Sequence, residues 1–240
     1  MANHQVLDNI SHKNLRIITE HSAWYGDDIA ATLVFPLEFR RAQSEYPIAF
    51  QKNAETGDFE PIALFGLDEG ENLYLGSDGW DASYIPLTVE RQPFLIGFGT
   101  STDDGVPREE PVVHVDMDSP RVSETEGVAV FLEHGGQSPY LEHINSVLAA
   151  IHQGHAQNKH FSQVLTELDL LEPFALDFEL KDGSKKTLQG LYTLHEEKLG
   201  GLNAASLERL HGDGFLESIY MVMASIANLR SLIERKNQSL

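Results

Sequence analysis

The apolar residues change their period part-way along the chain, and that change limits the folds open to it. Up to about residue 134 they come in short runs rich in branched and aromatic side chains: LRIITE (15–20), ATLVF (31–35), NLYLG (72–76), FLIGF (94–98), VVHVDM (112–117) and GVAVFLEH (127–134). Runs of that length, separated by Gly, Asp and Ser clusters, read as strands. From Ser138 the recurrence lengthens. Leu141, Ile144, Leu148 and Ile151 follow at steps of three and four, with Ser138 and Pro139 suited to the N-cap and first turn of a helix. Gly154 is expected to end that helix, and HFSQVLTELDLL to start another. Leu216, Ile219, Met223, Ile226, Leu229 and Ile233 predict one terminal helix over 214–236, after a shorter one near 203–211. Between these helices, PFALDFELKDGSKKTLQGLYTLHEE alternates apolar and polar residues about a KDGS turn. It reads as a hairpin that joins a sheet elsewhere.

The expected fold class is therefore α+β. A sheet-rich N-terminal half, antiparallel or mixed, packs with C-terminal helices and a β-hairpin in a single domain over 1–240, any internal boundary falling near residue 122. Within the first half, PIAFQKNAETGDFEPIALFGL reads as a second hairpin with a longer, Gly-containing connection. PLEFRRAQSE before it suits one or two helical turns opened by Pro36. The stretch GTSTDDGVPREEP (99–111) is the expected loop, its pairs Asp103–Asp104 and Glu109–Glu110 ionised in solvent.

Charge and composition narrow the function classes. The net charge of −20 comes from 17 basic and 37 acidic residues, and it opposes direct contact with nucleic acid phosphates or anionic lipid. The chain has no cysteine, which excludes disulfides, thiolate catalysis and thiolate metal sites. No basic segment leads into an apolar run at MANHQVLDNISHKNLRIITE, and no stretch approaches the roughly 18 consecutive apolar residues of a membrane span, so a soluble cytoplasmic protein without membrane insertion is expected. Walker, EF-hand, HExxH, GxSxG and GxGxxG patterns are absent.

Several blocks in order carry a family resemblance. EYPIAF (45–50), PIALFGLDEGENLYL (61–75), DGWDASYIP (78–86), QPFLIGF (92–98), HGGQSPYL (134–141), ELDLLEPFALDFELKDGS (167–184), LQGLYTLHEEKL (188–199) and GFLESIYMVMASIANLRSLIERK (214–236) resemble the bacterial SapC family from about residue 30 onward. The family pattern has basic residues before its Pro-Phe pair, whereas VERQPF has Arg91 between Glu90 and Gln92. The resemblance implies a non-catalytic binding or accessory protein linked to a bacterial surface layer or to nutrient uptake, with a protein partner or a small ligand. It brings no catalytic residue set and no cofactor.

The residues themselves offer two site readings. In GENLYLGSDGWDASYIPLTVERQPFLIGF (70–98), the first use of the aromatics is packing, because large rings mostly serve cores. As a ligand site, the candidates are Trp80, Tyr84 and Arg91. The other reading is enzymatic. His114 and Asp116 lie two apart on a strand and share a face, so with His195 they would form a two-histidine, one-carboxylate set for Fe(II) in an oxygenase-like enzyme, Arg209 anchoring a co-substrate. His152, His155 and His160 offer at most adventitious metal binding, in a solvated helix end. The terminal helix, broadened by Tyr220, Met221 and Met223, is expected to close the core and is also a candidate homodimer surface.

Overall fold

A computed structural model describes residues 3–101 and 108–240 of the chain. In order, they form β1 (His4–Val6), β2 (Arg16–Ile17), a 3-10 turn and β3 (Ala31–Leu33). A second 3-10 turn, opened by Pro36 as expected, runs into α1 (Phe39–Ala42), then β4 (Ile48–Lys52) and β5 (Phe59–Leu64). Next come β6 (Leu75–Gly76), β7 (Gly79–Trp80), α2 (Leu87–Glu90), β8 (Phe94–Ser101) and β9 (Arg108–Asp116). Short β10 (Val122–Ser123) and β11 (Val128–Ala129) precede α3 (Pro139–Glu167), β12 (Leu171–Glu179) and β13 (Lys185–Leu194). The chain closes with α4 (Glu196–Gly200), α5 (Ala204–Gly212), α6 (Phe215–Ser225) and α7 (Asn228–Gln238). Antiparallel sheets with C-terminal helices make this an α+β fold. No described helix is long and apolar enough to cross a membrane.

Contacts divide the chain into two compact units, Met1–Gly26 with Leu87–His152, and Asp27–Pro86 with Gln153–Leu240. Residue 122 lies inside the first. There, β1, β9 and β8 form one antiparallel sheet in that order, and β10, β2 and β11 a smaller one. Side chains alternate between faces along a strand. On β8 and β9 the inward set is Phe94, Ile96, Val113 and Val115, in register as Phe94↔Val115 and Ile96↔Val113. They pack with Leu15, Ile17, Val130 and the Leu141, Ile144 and Leu148 face of α3.

Three expectations in this unit change. LRIITE pairs only at Arg16–Ile17, because the Ile18 N–H goes to the Arg121 carbonyl and the carbonyls of Ile18 and Glu20 accept from buried Arg121 Nη1, at 3.1 and 2.7 Å. GVAVFLEH gives only Val128–Ala129, since Leu132 and Gly136 close a turn on each other. The loop expected over 99–111 is partly strand, with Gly99 paired to Glu110 and Thr100 to Glu109. Asp103 and Asp104 lie outside the described residues.

In the second unit, five antiparallel strands run β12–β13–β4–β5–β3. Both expected hairpins are there, and the later one does join a sheet, through Leu191↔Gln51 and Tyr192↔Phe50. Its core is aromatic. Phe161 meets Phe39, Phe50 and Phe215 at centroid distances of 6.0, 6.1 and 5.0 Å.

Two helix expectations are corrected. α3 runs unbroken through Gly154. That glycine is a close-approach site: a Cβ there would stand 2.5 Å from the Phe35 ring. The expected single terminal helix is two, α6 and α7. Across the join, N–H groups reach back three residues (Ile226 to Met223, Ala227 to Ala224), and two polar side chains turn to the Gln43–Ile48 segment. Ser225 Oγ accepts the Ile48 N–H at 2.9 Å, and Asn228 Nδ2 donates to the Gln43 carbonyl at 2.8 Å. The buried face is Phe215, Ile219, Val222, Leu229 and Leu232. Only Ile219 and Leu229 of the expected stripe lie fully on it.

Candidate functional site

The outward face of the β1–β9–β8 sheet ends in a small polar pocket. Alternation turns Leu95, His114 and Asp116 away from the core that Phe94 and Val115 enter, and the β1 register sets His4 directly across from Asp116. The chain enters β8 through a hooked segment. The Arg91 carbonyl accepts the Phe94 N–H at 2.8 Å, while Arg91 Nη1 donates to the Phe94 carbonyl at 2.6 Å. The Gln92–Pro93 peptide is cis, and the Pro93 carbonyl accepts the Asp116 N–H at 3.1 Å. After β9, the Asp116 carbonyl accepts from Ser119 N–H and its Oδ1 from Asp118 N–H, so the turn carries Ser119 to the rim.

The resulting cavity of about 250 Å³ is lined by His4, Arg91, Gln92, Pro93, Leu95, Asp116 and Ser119. Arg91 is half-buried, and burial pushes its guanidinium below its ordinary pKa. No carboxylate pairs with it among the described residues. What the arrangement offers is a cation, a carboxylate, a hydroxyl and a side-chain amide around one space.

Trp80 and Tyr84 belong to the second unit, in a different environment. Trp80 Nε1 donates to Tyr46 Oη at 2.8 Å, and its ring meets Phe65 edge-on at 5.0 Å. Tyr46 Oη donates in turn to the Tyr84 carbonyl, and Tyr84 Oη donates to buried Glu38 at 2.6 Å. Tyr74 stands edge-on to Tyr46 at 4.8 Å with the Arg235 guanidinium over its ring, and burial raises its hydroxyl to about 12. Burial likewise pushes Tyr46 up. The Trp80 and Tyr84 rings are half-buried and bonded to this cluster of buried tyrosines.

The metal candidates fall in both units, His114 and Asp116 in the first and His195 in the second. The His114 ring lies over Gly97, where a Cβ would stand 2.4 Å from its Nε2. His195, in the second unit, is the N-cap of α4, its Nδ1 accepting the Lys198 N–H at 3.5 Å with Glu172 3.8 Å from its Nε2. Among the described residues, no three His, Asp or Glu side chains are grouped to hold one metal ion. Arg209 is committed to Glu167 at 2.7 Å and lies 3.9 Å from Asp213. Three histidines of α3 rest on a phenylalanine, His152 on Phe98, His155 on Phe35 and His160 on Phe215, while His143 meets Glu90 at 2.7 Å.

A family model described as SapC matches residues 7–232. The chain belongs to the SapC family. No curated protein and no solved structure matches it.

For this SapC chain, the pocket residues that sequence reasoning missed are His4, Gln92, Pro93, Leu95 and Ser119. β1 is three exposed residues with no apolar pattern, so its pairing with β9 leaves no local signal. A second surface lies on α6, where Leu216, exposed Tyr220, Met221 and Ala224 line an apolar groove of about 630 Å³.

Proposed function

We propose that this SapC protein is a non-catalytic binding or accessory protein of a bacterial surface-layer or nutrient-uptake system, holding a small ligand in the Arg91 pocket. The observation that supports the reading is a half-buried guanidinium whose described bonding is one contact to a backbone carbonyl. A guanidinium has five donors in a rigid fork, and removing it from water without a counter-charge is unfavourable. A ligand oxyanion supplies the missing acceptors in the two-pronged geometry that arginine favours. The setting, surface layer or nutrient uptake, is what membership of the family implies. Titration calorimetry of the full chain with small carboxylates, amino acids among them, and phosphates tests the binding. At least one is expected to saturate the parent and to bind at least about tenfold more weakly to Arg91→Gln. Equal binding to both, or none to either, overturns the reading.

The α6 face supports a second reading, with a second copy of the chain as its occupant. Glu217 on the groove pairs with Arg40, so the rim carries both signs of charge. A two-fold contact brings the same patch to itself, letting Glu217 of one copy answer Arg40 of the other. Sedimentation equilibrium is expected to show a concentration-dependent dimer that Tyr220→Glu converts to monomer. A parent that stays monomeric at every concentration removes this reading.

A further inference from the structure

We infer that the Arg91 pocket takes a small zwitterion, an α-amino acid with a short side chain, its carboxylate on the Arg91 guanidinium and its ammonium on the Asp116 carboxylate. This rests on reading the pocket as a ligand site. Arg91 and Asp116 line the same space, yet they form no ion pair with each other. The described bonds of their side chains are local, Arg91 Nη1 to the Phe94 carbonyl and Asp116 Oδ1 to the Asp118 N–H. Two opposite charges that face one small space without meeting are both available to a third body.

A plain carboxylate would answer Arg91 but lie beside the Asp116 charge, and a plain amine would answer Asp116 but lie beside Arg91. Like-charge placement of that kind is what rejects wrong ligands. An α-amino acid carries both charges on neighbouring carbons and has no net charge. Neutrality also matters to its approach, because a chain of net charge −20 repels free anions. Size agrees. At ~30 Å³ per water in the liquid, the 250 Å³ space holds the volume of about eight waters, enough for an amino acid of a few heavy atoms. Leu95 and Pro93 are its apolar walls, suited to a short aliphatic side chain. The Ser119 hydroxyl accepts the Arg121 N–H at 3.3 Å, which leaves its own proton for a ligand oxygen.

Calorimetric titration of the full chain with L-alanine, propionate and ethylamine tests this, since the last two are the same skeleton lacking one charge each. L-alanine is expected to bind at least about tenfold more tightly than either. Asp116→Asn, which keeps an acceptor for the Asp118 N–H, should remove the preference for alanine over propionate at an unchanged melting temperature. Should propionate match alanine on the parent protein, the zwitterion inference fails while the oxyanion site stands. Should ethylamine alone bind, or none of the three, the zwitterion inference fails, and the oxyanion reading fails with it unless phosphate saturates the parent. The comparison of probes on the parent carries the test even where a variant does not fold.

Discussion

Trp80 is bonded at one end and packed at the other, and the two can be separated by substitution. Trp80→Ala loses the edge contact with Phe65 and the bond to Tyr46, and is expected to cost about 2–3 kcal/mol in urea unfolding, below a fully buried tryptophan because the ring is half-buried. Trp80→Phe keeps most of the packing and should cost about 1 kcal/mol, the scale of one hydrogen bond. Equal costs for the two would mean the ring contributes little. Gly154 gives a sharper case. Alanine favours a helix interior over glycine by about 1 kcal/mol, yet here its Cβ would meet the fully buried Phe35 ring at 2.5 Å. Overpacking should win, so Gly154→Ala is expected to lower stability by about 1–3 kcal/mol. A gain in melting temperature would show that the ring gives way. The same residue shows what sequence can and cannot tell. A glycine in a helical pattern reads as a stop, and only the partner across the gap shows that it is there to admit a ring.

At the scale of elements, local chemistry was legible and non-local pairing was not. The two hairpins announce themselves because each is closed by its own turn, and the first turn of α3 is readable from Ser138 and Pro139. The pocket is different. The spacing of His114 and Asp116 places them on one face, but what stands beside each is set by neighbouring strands, Gly97 of the adjacent β8 for His114 and His4 of the distant β1 for Asp116. The α6–α7 join was hidden for a similar reason, since Ser225 and Asn228 act on a segment about 180 residues earlier.

The end of α7 is fixed by charge. Lys236 Nζ donates to Asp68 at 2.9 Å and to Glu71, and Lys186 also reaches Asp68 at 2.7 Å. Hydrogen bonds from Lys186 and Lys236 hold Asp68 below its ordinary 3.8, so its contribution is present above that value and lost as pH falls through the lowered pKa. Hydrogen bonds to Glu71 and Asp68 hold Lys236 above its ordinary 10.5, so its contribution is present below that value and lost as pH rises through the raised one. Lys236→Met should therefore cost about 1–2 kcal/mol near neutral pH, and should flatten both the acid and the alkaline limbs of the stability curve. A variant that keeps both limbs would place the pH dependence elsewhere.

For the whole molecule, the question is whether the C-terminal helices complete the second unit or merely decorate it. Phe215, Ile219, Val222, Leu229 and Leu232 are all buried, and α6 lies against α1, β4 and β13. Phe215 also closes the ring cluster around Phe161. Exposing each of those side chains would forfeit about 1.5–3 kcal/mol, while a native domain is stable by only about 5–15 kcal/mol in all. Five such losses are of the same size as the total, and the sheet would lose its cover as well. Ending the chain before Gly214 is thus expected to give a protein without a cooperative calorimetric transition, with weakened near-ultraviolet dichroism and strong binding of a hydrophobic dye. A truncated chain that still melted cooperatively would show that α6 and α7 lie on a second unit already complete. The α6 groove would then be the more telling feature of those helices, since a face not needed for folding is available for a second copy.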